Sequence, residues 1–226
     1  MILTERLRKV AEYVNNSDCL ADIGTDHGYV PIFCVTQGRA KTAVASDINI
    51  GPLNIAQKNI EKYLLSDKIS TRISNGFENF EKGSFDTAVI AGMGGLLINE
   101  ILENGKRKFS DKTHIILQPM IAQSEVRRYL SDNGFIIEKE NLAKEGNKIY
   151  NIFLCKKGVE RLSEFDIYVG KRLLEDKNPL FLRYIDGKIR TLEKIINGLK
   201  KAENSAYELD MRKKELGYYL KARNEF

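Results

Sequence analysis

What most constrains the fold of this chain is the way its apolar residues change period. Over the first 158 residues, short apolar runs alternate with stretches in which apolar residues recur at helical spacing. Leu3, Leu7, Val10, Ala11 and Val14 repeat every three or four positions, which predicts an amphipathic helix over 2–14. Cys19 to Gly24 is a short apolar run ending in glycine and reads as a buried strand. Residues 29–38 are predicted helical, and 41–48 (KTAVASDI) a second strand. Gly51-Pro52 opens the next helix, since proline suits a first helical turn. Leu53, Ala56, Ile60 and Leu64 make its expected buried stripe. Strands are expected at 68–74, 85–91 and 113–119, and helices at 95–104 and 122–132. Strands alternating with helices predict an α/β fold with a parallel sheet covered on both faces.

The rhythm then breaks. Two strand-like runs, 134–142 and 148–156, have no helix between them, and the intervening Glu145-Gly146-Asn147 predicts an antiparallel hairpin at the sheet edge. From Val159 onward no strand pattern survives. Ile185, Ile189, Leu192, Ile196 and Leu199 follow the a/d spacing of a coiled-coil seam. Ala206, Leu209, Leu216 and Leu220 continue it on a second helix, with Lys213 interrupting. Asn204-Ser205 is the expected turn between the two, 163–176 a shorter joining helix, and Pro179 the break after it. The expected organisation is a seven-stranded Rossmann-like domain over 1–158 and an antiparallel helical extension over 159–226.

Composition narrows the function classes. The 226 residues are 42% hydrophobic and 30% charged, which suits a globular protein with a real core. The N-terminus is charged and amphipathic rather than signal-like, and no apolar run approaches a membrane span. Cys19, Cys34 and Cys155 are scattered, with no CxxC, so a reduced cytoplasmic compartment and no metal site are expected. The net charge is +5; residues 159–226 hold 15 Lys+Arg against 12 Asp+Glu, or +3 of it. That excess is compatible with a polyanionic partner and does not establish one.

The strongest local motif is Asp22-Ile-Gly24-Thr25-Asp26-His27-Gly28, directly after the first predicted strand and before a helix. Glycines let backbone pass close to a ligand, and the helix N-terminus adds donors. Alone, such a turn is weak evidence. The second strand adds Asp47, followed by Ile48-Asn49, about twenty residues past the turn, where a ribose hydroxyl pair would be held. Together they point to an adenosine-containing cofactor. A dinucleotide loop would present amide donors to pyrophosphate where this one has Asp26. Asp22 instead suits the ammonium of an amino-acid zwitterion, and the antiparallel hairpin suits a methyltransferase sheet. S-adenosylmethionine is therefore the expected cofactor.

Later strand ends supply the rest. In Ser74-Asn75-Gly76-Phe77, Asn75 is expected at the adenine edge and Phe77 over its face. Ala91-Gly92-Met93-Gly94-Gly95 lacks the Asn/Asp-Pro-Pro-aromatic run that grips exocyclic amines, and leaves room for backbone to approach cofactor or substrate. Gln118, Pro119 and Met120 are expected at the pocket rim, toward substrate. Asp22, Gly24, Thr25, His27 and Gly28 are the expected cofactor-binding residues of the loop, although His27 could simply order it through hydrogen bonds; His114 is read as structural.

DIGTDHGYVP, ASDIN, SNGF, AGMGG and LQPM, in that order, resemble the bacterial tRNA (adenine-22-N1)-methyltransferase family, across essentially the whole chain. The resemblance implies a class I methyltransferase domain with a C-terminal coiled-coil domain, and methyl transfer to N1 of an adenine in the D arm of tRNA. Asn75 stands where the family pattern leads one to expect aspartate. Asp26 is the candidate catalytic residue, stabilising charge on the methylated base. The helical tail is expected to contact tRNA, and the protein to be a monomer off the membrane. Competing readings are a methyltransferase of another RNA position or a small molecule, and a cofactor-binding scaffold that recruits a protein.

Overall fold

Helix α1 (Glu5–Tyr13) begins where the Thr4 hydroxyl accepts from the Leu7 N–H, three residues later than the periodicity suggests. It buries Val10 and Ala11, while Leu3 and Leu7 pack partly against the same core. The structure, a computed structural model, describes residues 1–201 and 205–226 and divides into two units, Met1–Glu160 and Arg161–Phe226.

In the first unit β1 (Ser17–Ile23), α2 (Tyr29–Thr36), β2 (Ala40–Asp47), α3 (Ile50–Lys62), β3 (Ile69–Ile73), β4 (Thr87–Met93), α4 (Gly95–Gly105), β5 (His114–Pro119) and α5 (Gln123–Asp132) alternate as expected. β6 (Phe135–Glu145) and β7 (Lys148–Lys157) form the hairpin. The sheet has seven strands in the order β3-β2-β1-β4-β5-β7-β6, with β7 antiparallel to both of its neighbours. Two expectations need correction. Leu64 is not on the α3 stripe: the helix ends at Lys62 and is capped by Tyr63, and Leu64 is left-handed (φ 56°) and 86% exposed, while Leu65 turns against the core. β4 starts two residues late because Phe85 joins Phe77, Phe80 and Phe109 in an aromatic cluster instead.

A buried ion pair ties α5 to the hairpin. Arg127 Nη2 donates to Glu140 Oε1 at 2.6 Å with both side chains 1% exposed, and Asn151 Nδ2 donates to the same oxygen at 2.8 Å. The guanidinium lies over the Phe153 ring at 5.4 Å.

The second unit contains α6 (Glu164–Val169), α7 (Lys171–Glu175), α8 (Phe181–Leu199) and α9 (Ala206–Glu225). The single helix expected over 163–176 is two, because Gly170 (φ 92°) breaks it. Helix α8 buries Ile185, Ile189, Leu192 and Ile196, with Leu199 half-buried. The expected α9 stripe is displaced: Ala206 and Leu220 are exposed, Leu209 and Leu216 half-buried, and the buried residues are Tyr219 and Ala222. Arg223 Nε meets Asp186 Oδ1 at 3.2 Å and Phe226 stacks on Phe181, so the C-terminal end of α9 meets the start of α8. The pair is antiparallel. Asn204 lies outside the described residues; Ser205 donates to the Leu199 carbonyl at 2.6 Å. No helix of the described residues is long and apolar enough to cross a membrane.

Candidate active site

The chain leaves β1 for β2 on one side, and β4 lies on the other, so the crevice at their carboxyl ends is the switch point where ligands of open α/β sheets bind. The Gly24–Gly28 loop crosses that point and is held from two directions. Gly24 and Thr25 each donate an N–H to the Ser46 carbonyl at 2.8 Å, and Asn59 Nδ2 donates to the His27 carbonyl at 2.9 Å. Gly28 is left-handed (φ 69°), and a Cβ there would lie 3.3 Å from the Ala56 Cβ. A side chain at 28 would strain the backbone and push on α3.

The loop roofs a cavity of about 420 Å³, lined on the loop side by Asp22, Gly24, Thr25, Asp26 and His27 and on the β4 side by Ala91, Gly92 and Met93. Asp22 ends up nearly buried, and burial pushes its carboxyl up to about 6. The adjacent Thr25 side chain opposes that shift, yet its hydroxyl lies outside hydrogen-bonding geometry with any protein group. His27 Nδ1 is likewise buried without a protein partner, whereas Nε2 meets Asp26 Oδ2 at 3.1 Å and the ring stacks on Tyr29. The Asp26 side chain itself is 79% exposed at the mouth.

Asp47 ends β2, and its Oδ1 accepts the Asn49 N–H at 2.7 Å, which fixes the carboxylate and leaves its second oxygen for a ligand. Ile48, Asn49 and Asn75 are exposed at the neighbouring strand tips, outside the cavity lining, with Gly76 buried behind them. Asn75 Nδ2 donates to Glu78 Oε1 at 3.0 Å, leaving the side-chain carbonyl as acceptor.

Two placements correct the sequence reading. Phe77 does not cover a cofactor face: it is 1% exposed and packs against Phe80, Phe85 and Phe109. Gln118 is not at the rim either. It is fully buried, and its Oε1 accepts from both Arg6 Nη1 and the Gly92 N–H, at 2.5 and 3.2 Å. Pro119 is buried beside it, and only Met120 of that motif reaches the surface, 37% exposed. His114 is half-exposed, with its ring 3.8 Å from Glu138, away from the cavity.

The missed residues come from the helices: Arg6 and Leu7 of α1, and Tyr29 and Val30 of α2, also line the cavity. Arg6 reaches Glu145 Oε2 at 3.3 Å and lies over the Tyr150 ring. A signal for it existed, because position 6 falls on the inward stripe with Leu3, Leu7 and Val10. A cation placed there has to be held by partners.

The cavity therefore brings a buried carboxylate, Asp22, and the Arg6 guanidinium together with a glycine-bearing loop that carries two unpartnered buried polar atoms, Thr25 Oγ1 and His27 Nδ1. Those groups fit an amino-acid zwitterion, and the Asp47 carboxylate and Asn75 carbonyl fit an attached adenosine. With the seventh strand reversed in a seven-stranded sheet, the fold and the site define a class I S-adenosylmethionine-dependent methyltransferase. The family model for tRNA (adenine(22)-N(1))-methyltransferase matches residues 20–218, and the chain belongs to that family. The tRNA (adenine(22)-N(1))-methyltransferase of Bacillus subtilis is 35% identical over 210 residues, 90% of this chain and 88% of that protein. The crystal structure of the B. subtilis m1A22 tRNA methyltransferase TrmK superposes with a TM-score of 0.91 at 31% identity, covering 98% of this chain and 99% of that one. Streptococcus pneumoniae Sp1610, a putative tRNA (m1A22) methyltransferase solved in complex with S-adenosyl-L-methionine, gives a TM-score of 0.88 at 32% identity, covering 98% and 100%.

Proposed function

We propose that this chain methylates N1 of adenine 22 in the D arm of tRNA. The main support is the cavity at the ends of β1 and β4, which is lined by both Asp22 and Arg6, a pair of charges that suits a zwitterionic cofactor, in a chain matched to this family over most of its length. Asp22 would hold the ammonium, Arg6 the carboxylate, Asp47 the ribose hydroxyls, and the Asn75 carbonyl the adenine amino group. Gln118 acts through others, holding Arg6 and the Gly92 backbone in place. When bound, S-adenosylmethionine supplies an electrophilic methyl group on a sulfonium.

N1 of neutral adenine carries a free lone pair and no proton, so the site needs no general base. The chain's task is to align the base and to stabilise the positive charge that forms on it. Asp26, exposed at the mouth, takes that second role through the N6 amino group or the ring edge. The glycines of Ala91-Gly92-Met93-Gly94 let the base approach backbone closely. The helical unit contacts tRNA phosphates, giving affinity that falls with salt. The protein acts as a monomer in the cytoplasm, where its substrate is.

Asp26→Ala tests the charge role. With tRNA and radiolabelled cofactor, turnover is expected to fall about 100-fold while S-adenosylhomocysteine affinity holds, a loss within the range for one electrostatic group. Turnover unchanged at intact binding removes Asp26 from the mechanism.

A further inference from the structure

The end of the sheet that holds the cavity also carries an apolar lip. Leu96 (68% exposed), Leu97 (47%), Met120 and Ile121 (67%) all follow the carboxyl ends of β4 and β5. The two segments are locked together: Met120 N–H donates to the Met93 carbonyl at 2.8 Å and Gly95 N–H to the Ile121 carbonyl at 3.1 Å. A Cβ at Gly95 would lie 2.5 Å from the Ala122 carbonyl oxygen. Ala122 itself is left-handed (φ 59°), a strained conformation for a non-glycine residue that persists only where its surroundings impose it. The fold thus spends strain to hold exposed aliphatic side chains beside the cavity.

Met93 belongs to both features, lining the cavity and accepting from Met120, so the lip is continuous with the cavity mouth. Neither Ala91–Ile98 nor Pro119–Ala122 contains a charged residue, so this surface is not built to grip phosphate. Exposed apolar patches of this kind mark interaction sites. Of these segments only Ala91, Gly92 and Met93 line the cavity, so the lip stands next to the site, where a bound acceptor's neighbouring groups would meet it. If the acceptor is N1 of adenine, it lies on the Watson–Crick edge and is reached only once the base leaves its pair and stack. Leu, Ile and Met are among the apolar side chains that proteins insert as wedges between bases, parting the stack.

We propose that Leu96, Leu97, Met120 and Ile121 form a wedge that packs on the bases flanking the target and holds the extruded adenine out of its stack. The proposal rests on the RNA-methyltransferase reading above. Its test uses the full-length protein with Leu96→Ser/Ile121→Ser and, as a milder variant, Leu96→Ala/Ile121→Ala. Both change exposed side chains, and melting and S-adenosylhomocysteine binding check that the fold is kept. Extrusion is read by the fluorescence of 2-aminopurine at the target position, and turnover on native tRNA and on a tRNA whose D stem is opened by mismatches.

Wild type is expected to raise the fluorescence on binding. The serine variant should raise it several-fold less, and lose 10- to 100-fold in kcat/KM on native tRNA but under 5-fold on the opened tRNA. The alanine variant should fall between. Undiminished fluorescence in both variants, or equal losses on the two tRNAs, overturns the wedge. Failure of the wild type to methylate either tRNA overturns the RNA reading instead.

Discussion

At the scale of single residues, Asp22 makes the proposed cofactor site testable by pH. Burial raises its carboxyl to about 6 from an ordinary 3.8, so the folded chain favours the neutral acid. Its contribution to the stability of the free protein is therefore full below pH 3.8 and is lost as the pH rises through about 6. An ammonium ligand reverses that preference. S-adenosylhomocysteine affinity, followed by calorimetry from pH 8 down to 5, should weaken below about 6, approaching tenfold per pH unit. Asp22→Asn should bind weakly throughout and show no such step. Arg6 has its own test. Arg6→Ala should weaken S-adenosylmethionine about 10- to 100-fold but leave decarboxylated S-adenosylmethionine nearly unaffected, as expected when a charge-assisted hydrogen bond is removed. Equal losses for both ligands would contradict its assignment to the carboxylate. Asp22 and the loop glycines were legible in the sequence because residue types that are rare together sit at a strand end. Phe77 and Gln118 were misplaced because position after a strand does not say which way a side chain turns. Phe77 had three other phenylalanines to pack against, and Gln118 had Arg6 and a backbone N–H to satisfy.

At the scale of elements, the long apolar periodicities placed every strand of the sheet, and errors gathered at ends where one residue changes the backbone: Leu64 past α3, Gly170 between α6 and α7. On α9 the seam shifted to Tyr219 and Ala222, because a stripe of leucines counted in sequence says nothing of what the facing helix offers. Arg127 was invisible for the same reason, a charged residue whose partners Glu140 and Asn151 come from the hairpin. Arg127→Ala strands a buried carboxylate and should cost about 3–5 kcal/mol in urea unfolding, despite lying away from the cavity lining. Gly95→Ala, which brings a Cβ against the Ala122 carbonyl, should cost about 1–3 kcal/mol by the same measurement.

At the scale of the whole molecule, the proposed activity pairs a small cofactor with a large polyanion, and the proposal gives the helical unit to the polyanion. On α8, Arg183, Arg190 and Lys194 are exposed at positions that return to one side of the helix. Arg190→Glu/Lys194→Glu should weaken tRNA binding and lower the slope of log affinity against log salt by about 1 for each phosphate no longer neutralised, leaving cofactor affinity unchanged. The most direct test is to incubate the purified protein with unmodified tRNA and S-adenosylmethionine carrying a labelled methyl group, then to locate the label by nuclease mapping and mass spectrometry. The expected product is 1-methyladenine at position 22, absent with Asp22→Ala; label at another nucleotide, or none on any tRNA, would contradict the assigned activity.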